Sequence, residues 1–144
     1  MENTIVGKVT VPARLENLQD LYESEEGRLS LEQVRSVEVA CALVDTGATM
    51  LSVPKRLVQR LGLRHCRTRT ARTSAGTADF GICDAVRLTI QGRDCIMEVA
   101  ELPDDCPVLI GQIPLEALDF IVDPIGQRLL GNPEHGGEQM IDLF

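Results

Sequence analysis

The stretch "ALVDTGATMLSVP", Ala42–Pro54, decides how this chain is read. Apolar residues run into an aspartate, then Thr46, Gly47 and Ala48, and the chain turns apolar again. Burying an unpaired carboxylate costs several kcal/mol or forces it to take up a proton, so a strand that ends on one needs a reason. Either Asp45 closes an Asx turn, or its carboxylate is used. Gly47 lets the backbone bend and lets its N–H approach the carboxylate, because no side chain intervenes. Thr46 adds a hydroxyl and Ala48 keeps the neighbouring wall small. The set suits a fixed, partly buried carboxylate fed by backbone donors.

Outward from Asp45, "SVEVACALVD", Ser36–Asp45, predicts the strand that carries it, and "IVGKVTVPARLEN", Ile5–Asn17, an earlier one alternating through Val9 and Val11. The acidic segment Leu18–Arg35, with Gly27 inside it, predicts a surface excursion with room for a short helical turn. "SVPKRLVQRLGL" predicts a helix with Ser52 as N-cap, Pro54 in the first turn, Leu57, Val58 and Leu61 on one face, and Gly62 as the left-handed stop. In "HCRTRTARTSAGTADFGICDAVRLTI" the small residues Thr73–Ala78 mark a hairpin tip between two extended arms. "QGRD" is a tight turn and "CIMEVAEL" the returning strand. Val108–Ile110 and Gly111 lead into a helix over about 114–119. "FIVDP" and "RLLGN" are short strands joined at Pro124–Gly126. The tail "EQMIDLF" ends in apolar residues, which predicts that it packs on something. Many short strands with few helices make a mainly β fold, a barrel or a sandwich.

A chain of 144 residues fits one domain, 1–144. With no tryptophan and 3% aromatics, its core must come from Val, Leu, Ile, Ala and Met. A net charge of −8 disfavours nucleic acid and anionic membrane surfaces as partners. Arg64, Arg67, Arg69 and Arg72 run against that balance, but no aromatic residue interleaves them, and they read as the solvated face of a strand. The N-terminus lacks a basic region followed by an apolar run, and no stretch is long enough to span a membrane, so a cytoplasmic location is expected. Five cysteines, at 41, 66, 83, 95 and 106, include no CxxC pair. Reduced thiols and no metal or cofactor are expected. His65–Cys66 is read as incidental, Asp104–Asp105 as a solvated turn, His135 as part of a surface turn and Cys41 as a small apolar packing residue.

One carboxylate hydrolyses little alone. Two that share a proton divide the labour: the ionised one takes a proton from water, and the protonated one polarises a carbonyl. The sequence holds a single Asp-Thr-Gly. A dyad therefore needs a second copy of the chain, with the two Asp45 residues meeting across a two-fold axis.

"ALVDTGAT" resembles the catalytic motif of aspartic proteases. The short chain resembles the retropepsin-like (retroviral-type) branch, and its small prokaryotic members in particular. "VLIGQIPLEAL" is similar to that family's second apolar-apolar-Gly segment at Leu109, Ile110 and Gly111, and "TARTSAGTADF" stands where the family carries its flap, at about 70–80. The resemblance, over roughly Ser36–Pro124, implies a closed β-barrel and an endopeptidase that works as a homodimer on peptide or protein substrates. It implies Asp45, Thr46 and Gly47 as catalytic, with Thr46 bonding across the dimer axis. It also implies Ala48, Ser74, Ala75, Gly76 and Thr77 as substrate-binding, and Leu109, Ile110 and Gly111 as support. The chain departs from the family at Thr49, at Gln112 and in having a single glycine in the flap. A rival expectation is a peptide-binding or dimerisation module of the same fold without turnover. A metal-binding regulator built on Cys66, Cys83, Cys95 and Cys106 finds no support in their spacing.

Overall fold

A computed structural model describes residues 8–123 and 125–143. Period-two alternation starts the core: β1 (Val9–Asn17) buries Val9, Val11, Ala13 and Leu15 and turns Thr10, Pro12 and Arg14 outward. Ile5–Gly7 of the expected strand lie outside the described residues. β2 (Ser36–Val44) runs antiparallel to β1, with a register shift at Pro12, which has no N–H to give the ladder.

The main sheet continues with β3 (Leu51–Pro54), β4 (His65–Thr73), β5 (Gly76–Ile90), β6 (Arg93–Leu102) and β7 (Leu109–Ile110). The order β1-β2-β7-β3-β6-β5 closes through a β1–β5 pairing, giving a six-stranded barrel. Closure removes the exposed edges that an open sheet would carry. At the seam Glu16 lies opposite Arg87, whose Nε donates to Glu16 Oε1 at 2.9 Å, so this buried carboxylate is paired. The barrel is filled with aliphatic side chains: Leu15, Leu51, Leu61, Ile82, Leu88, Ile90, Ile110 and Leu118 are all but fully buried. β4 pairs only with β5 and projects as one arm of a hairpin.

Among the described residues three α-helices pack outside the barrel. The expected surface excursion contains α1 (Leu18–Glu25), a helix of 8 residues. Buried Asn17 caps it, accepting the Asp20 N–H at 3.0 Å, and its Nδ2 donates to Leu61 O at 2.7 Å. The Asp20 carboxylate takes the N–H, Nε and Nη2 of Arg35, and this pairing holds it below the usual carboxylate range. α2 (Lys55–Arg60) corrects the expected cap: Ser52 belongs to β3, and Pro54 stands in the capping position with no side-chain acceptor. Asp104, from the turn read as merely solvated, supplies that acceptor and takes the Arg56 N–H at 2.7 Å. Gly62 then ends the turn at φ +68° as expected. α3 (Gln112–Leu118) begins two residues before the expected start and ends on Asp119 in the left-handed region. β8 (Phe120–Asp123) and β9 (Arg128–Gly131) form a separate hairpin as expected; Pro124 of its turn lies outside the described residues. The apolar tail does not pack as expected, since Ile141 is 76% and Leu143 80% exposed.

One crossing positions the Asp45 loop. β7 lies between β2 and β3, parallel to the first and antiparallel to the second. The chain leaving β2 must therefore pass over the end of β7 to reach β3. Residues 45–50 make that passage, and the β7–α3 corner holds them with three successive amides. Gly111 N–H donates to Met50 O at 3.1 Å, Gln112 N–H to Ala48 O at 2.8 Å and Ile113 N–H to Thr49 O at 2.9 Å. The first N–H groups of a helix lack partners within it, and here the loop carbonyls satisfy them, which is how α3 begins without a side-chain cap. A Cβ on Gly111 would lie 2.5 Å from Met50 O, 2.7 Å from Thr49 C and 2.8 Å from Ala48 O, all backbone atoms.

Two substitutions test this account by thermal or urea unfolding. Asn17→Ala removes a helix cap and strands a carbonyl, and should cost about 1–3 kcal/mol. Gly111→Ala forces backbone apart and should cost about 1–3 kcal/mol or more, and it should disturb the amide signals of Ala48–Met50 before those of β1. An unchanged midpoint in either variant contradicts the corresponding contact.

Candidate active site

Asp45 follows the last residue of β2, and its N–H donates to Ile110 O at 3.0 Å, continuing the β2–β7 ladder one step beyond the strand. The backbone of the carboxylate is thereby fixed by a fully buried residue, Ile110. Its Oδ1 accepts the Gly47 N–H at 3.0 Å, and Ala48 N–H donates to Asp45 O at 3.1 Å. This is Asx-turn geometry, so the turn reading and the functional reading coexist on the same residue. A Cβ at Gly47 would stand 3.3 Å from Oδ1, so glycine leaves the carboxylate its room. Among the described residues nothing hydrogen-bonds Oδ2, and Asp45 is half-buried. Thr46 and Gly47 are exposed, and the Thr46 hydroxyl has no partner among the described residues.

The expected support residues are placed together with this loop. Leu109 sits opposite Leu43 and Ser52, Ile110 opposite Val44 and Leu51, and Gly111 beneath the loop carbonyls. Thr49 and Gln112, the two departures from the motif, contribute through backbone: Gln112 N–H bonds Ala48 O, and Thr49 O accepts from Ile113. Met50, Leu51, Met97, Glu98 and Ile113 line a shallow, mostly apolar depression beside the loop. Met97 and Ile113 carry no sequence signal for this position, because β6 and α3 reach it only through the barrel.

The hairpin expected as a flap is present. Ser74–Ala75 form its tip; Gly76 and Thr77, expected in the tip, are paired opposite Thr73 and Arg72. Thr73 Oγ1 donates to Gly76 O at 2.9 Å and accepts the Ala75 N–H at 3.2 Å. Gly76 has φ +120°, which a side chain would resist. The tip makes its described hydrogen bonds within the hairpin and none to the Asp45 loop. The root of the hairpin is tied to the barrel by Arg67, which grips Glu98 of β6 through Nη1 at 3.0 Å and Nη2 at 2.5 Å. Arg67 is therefore more than the solvated face that its spacing suggests. The pairing also holds Glu98 below the usual carboxylate range.

Other chemistries have weaker footing among the described residues. Burial pushes the Cys83 and Cys95 thiols up to about 11, the hydrogen bond to Asp84 above all raises Cys66, and burial above all raises Cys106, so these four are poor thiolates at neutral pH. Cys41 is exposed, against the expectation that it packs. No group of three or more His, Cys, Asp or Glu among the described residues is placed to hold a metal ion. Among the described residues no helix is long and apolar enough to cross a membrane. His135, read as part of a surface turn, does lie in a short 3-10 turn, Pro133–His135, but its ring is mostly buried against Asp119.

Three comparisons set the chain beside known proteins. The sequence model of the family described as gag-polyprotein putative aspartyl protease matches residues 33–117, more than half of the chain and a span that includes the Asp45 loop, the hairpin and the Gly111 corner. Among solved structures, the chain is similar to the solution structure of Simian Foamy Virus (mac) protease, with 19% identity and a TM-score of 0.47 over 76% of this chain and 93% of that one. No curated protein matches it. On the family match, the chain belongs to the gag-polyprotein aspartyl protease family.

Proposed function

We propose that the chain is an aspartic endopeptidase that acts as a homodimer, with Asp45 of each copy forming one catalytic dyad. The observation that carries this reading is the state of Asp45. Its backbone is locked to β7, one oxygen is held by Gly47 N–H, and the other is unpartnered at the open end of a braced loop. The three amides of the β7–α3 corner that cap α3 also fix the loop that carries this carboxylate.

Two such carboxylates close together cannot both ionise easily, so they share a proton. The ionised member takes a proton from water as the water attacks the peptide carbonyl. The protonated member donates to the carbonyl oxygen, and the tetrahedral intermediate collapses as the leaving nitrogen is protonated. No covalent intermediate forms. Thr46, exposed and unpartnered in one copy, is the group available to bond across the axis. The substrate lies extended under the Ser74–Thr77 hairpin and pairs through its backbone, which is strand addition. The depression at Met50, Met97 and Ile113 gives the cleft an apolar wall.

Cleavage of a diverse peptide mixture, read by mass spectrometry from acid to neutral pH, tests the reading. Asp45→Asn should lower the rate by at least about a hundred- to ten-thousand-fold while unfolding as the parent does. Cuts that survive in Asp45→Asn exclude Asp45 as the catalytic group. A second test addresses the shared dyad: adding an excess of Asp45→Asn chain should suppress wild-type turnover by forming mixed dimers. Turnover indifferent to that excess places the whole activity in one chain.

A further inference from the structure

The β4–β5 hairpin carries positive charge that the proposed reaction does not use. The chain holds 22 acidic against 14 basic residues, yet β4 brings Arg67, Arg69 and Arg72 close together, with Arg64 just before it. Two of these cations are spent. Arg64 Nε donates to Asp84 Oδ2 at 2.9 Å, and Arg67 holds Glu98. Arg69 and Arg72 are exposed and have no hydrogen bond or ion pair among the described residues. Asp79, the carboxylate of the hairpin itself, lies opposite Thr70 and accepts its hydroxyl at 2.8 Å.

Opposed residues of an antiparallel pair share a face, and side chains alternate along each strand. One face of the hairpin therefore carries Arg67, Arg69 and Ala71 of β4 with Ala78, Phe80 and Ile82 of β5, while Arg72, Thr70 and Asp79 stand on the other. Glu98 of β6 is the carboxylate that reaches the first face, and Arg67 takes it. That contact also orients the face. Glu98 lines the depression together with Met50 and Leu51, to which the Asp45 loop leads directly. Arg69 stands two residues nearer the tip than Arg67, about 7 Å farther along the strand. Beyond it the opposed pairs are Ala71 with Ala78 and Thr73 with Gly76, side chains too short to shield a guanidinium.

We propose that Arg69 is a specificity-determining residue that selects substrates with an acidic side chain, Asp or Glu, at one fixed position relative to the scissile bond. The proposal deepens the endopeptidase reading and rests on it. An extended peptide under the hairpin turns alternate side chains towards it. One that points at the Arg69 face meets an uncommitted guanidinium, whose planar fork matches a carboxylate through two parallel N–H···O bonds. The bound peptide excludes water from the pair, which strengthens the attraction. A free cation on the hairpin also draws in acidic peptides that a chain of net charge −8 otherwise repels. Exposed charge of either sign would keep the free edge of β4 from pairing with another strand. Selecting a carboxylate requires the positive sign and the fork, so sign and shape are what the test varies.

The test gives the full-length chain two synthetic decapeptide libraries, one fully randomised and one with Gln and Asn in place of Glu and Asp, at a pH where carboxylates are ionised. Mass spectrometry of the cut ends should find Glu or Asp enriched at one position about three- to tenfold over Gln or Asn at low salt, and less at high salt. Arg69→Gln should abolish the enrichment, by raising KM for the acidic peptides rather than lowering kcat. Arg69→Glu should turn it into a preference for Lys or Arg, and Arg69→Lys should keep part of it. Arg72→Gln, on the other face, should leave it in place. Cuts without acidic enrichment, or an enrichment that survives Arg69→Gln, overturn the proposal. A parallel capture of the uncut library by Asp45→Asn, with and without Arg69→Gln, distinguishes this failure from that of the reading beneath. Acidic peptides retained through Arg69, with no cutting by the parent chain, remove the endopeptidase and keep the role of Arg69. With cutting absent, no capture, or capture without acidic preference, overturns that role as well.

Discussion

Three amides at the corner between β7 and α3 hold the rest of the site in place. They satisfy the carbonyls of Ala48, Thr49 and Met50 while finding their own partners, so one set of contacts closes two accounts that each end of irregular backbone otherwise leaves open. Such reciprocity is possible only if the corner comes within van der Waals distance of the loop backbone, which requires glycine at 111. The requirement is steric rather than conformational, since Gly111 has an ordinary extended φ of −86°. The crossing that brings the two segments together follows from strand order. β7 is inserted between β2 and β3, so the chain between those strands has to pass over its end. A carboxylate on that passage inherits the rigidity of the barrel without being buried in it.

Polar groups elsewhere follow the same logic of being held by backbone or by a partner of opposite charge. Glu16 at the barrel seam is matched by Arg87, Asp20 by Arg35, and Asp119 by His135. Pairs of this kind add less to stability than their Coulomb attraction suggests, because both groups lose water, yet breaking one partner away leaves an uncompensated charge. Each therefore acts as a register pin. Asp20 fixes α1 to the chain entering β2, and Glu16 fixes β1 to β5. Asp45 is the contrasting case, a half-buried carboxylate with no cation and with one oxygen unpartnered among the described residues.

The strands were legible where side chains alternate and one face is aliphatic, as at Val9, Val11, Ala13 and Leu15 or at Val86, Leu88 and Ile90. The Asp45 loop was legible because Asp, Thr and Gly have separate local roles at adjacent positions. What escaped was decided across the chain. Ser52 is a good N-cap by type, but pairing with Ala100 and Leu109 drew it into β3, and the cap came from Asp104. α1 carries too few apolar residues to announce itself, and its stability lies in Asn17 and Asp20. α3 starts earlier than its proline suggests because Ala48 O and Thr49 O act as its cap. His135 sits in a Gly- and Pro-rich turn and reads as surface; only the fold brings Asp119 to it.

The single chain is also instructive for what it leaves exposed. Thr46 is exposed and one oxygen of Asp45 has no partner among the described residues, on a loop whose carbonyls at 48–50 are tied to the β7–α3 corner. Polar groups in water cost nothing to leave unpaired, but covering them with apolar surface would strand them. The surface that can cover this end of the barrel must therefore present matching donors and acceptors in a rigid frame. A second copy of the same loop does so by symmetry, since a hydroxyl is both donor and acceptor and two carboxylates can share one proton. On the proposed reading, the bracing that fixes Asp45 in one copy is also what makes two copies complementary. A loop free to adjust could bury its polar groups locally and would not need a partner.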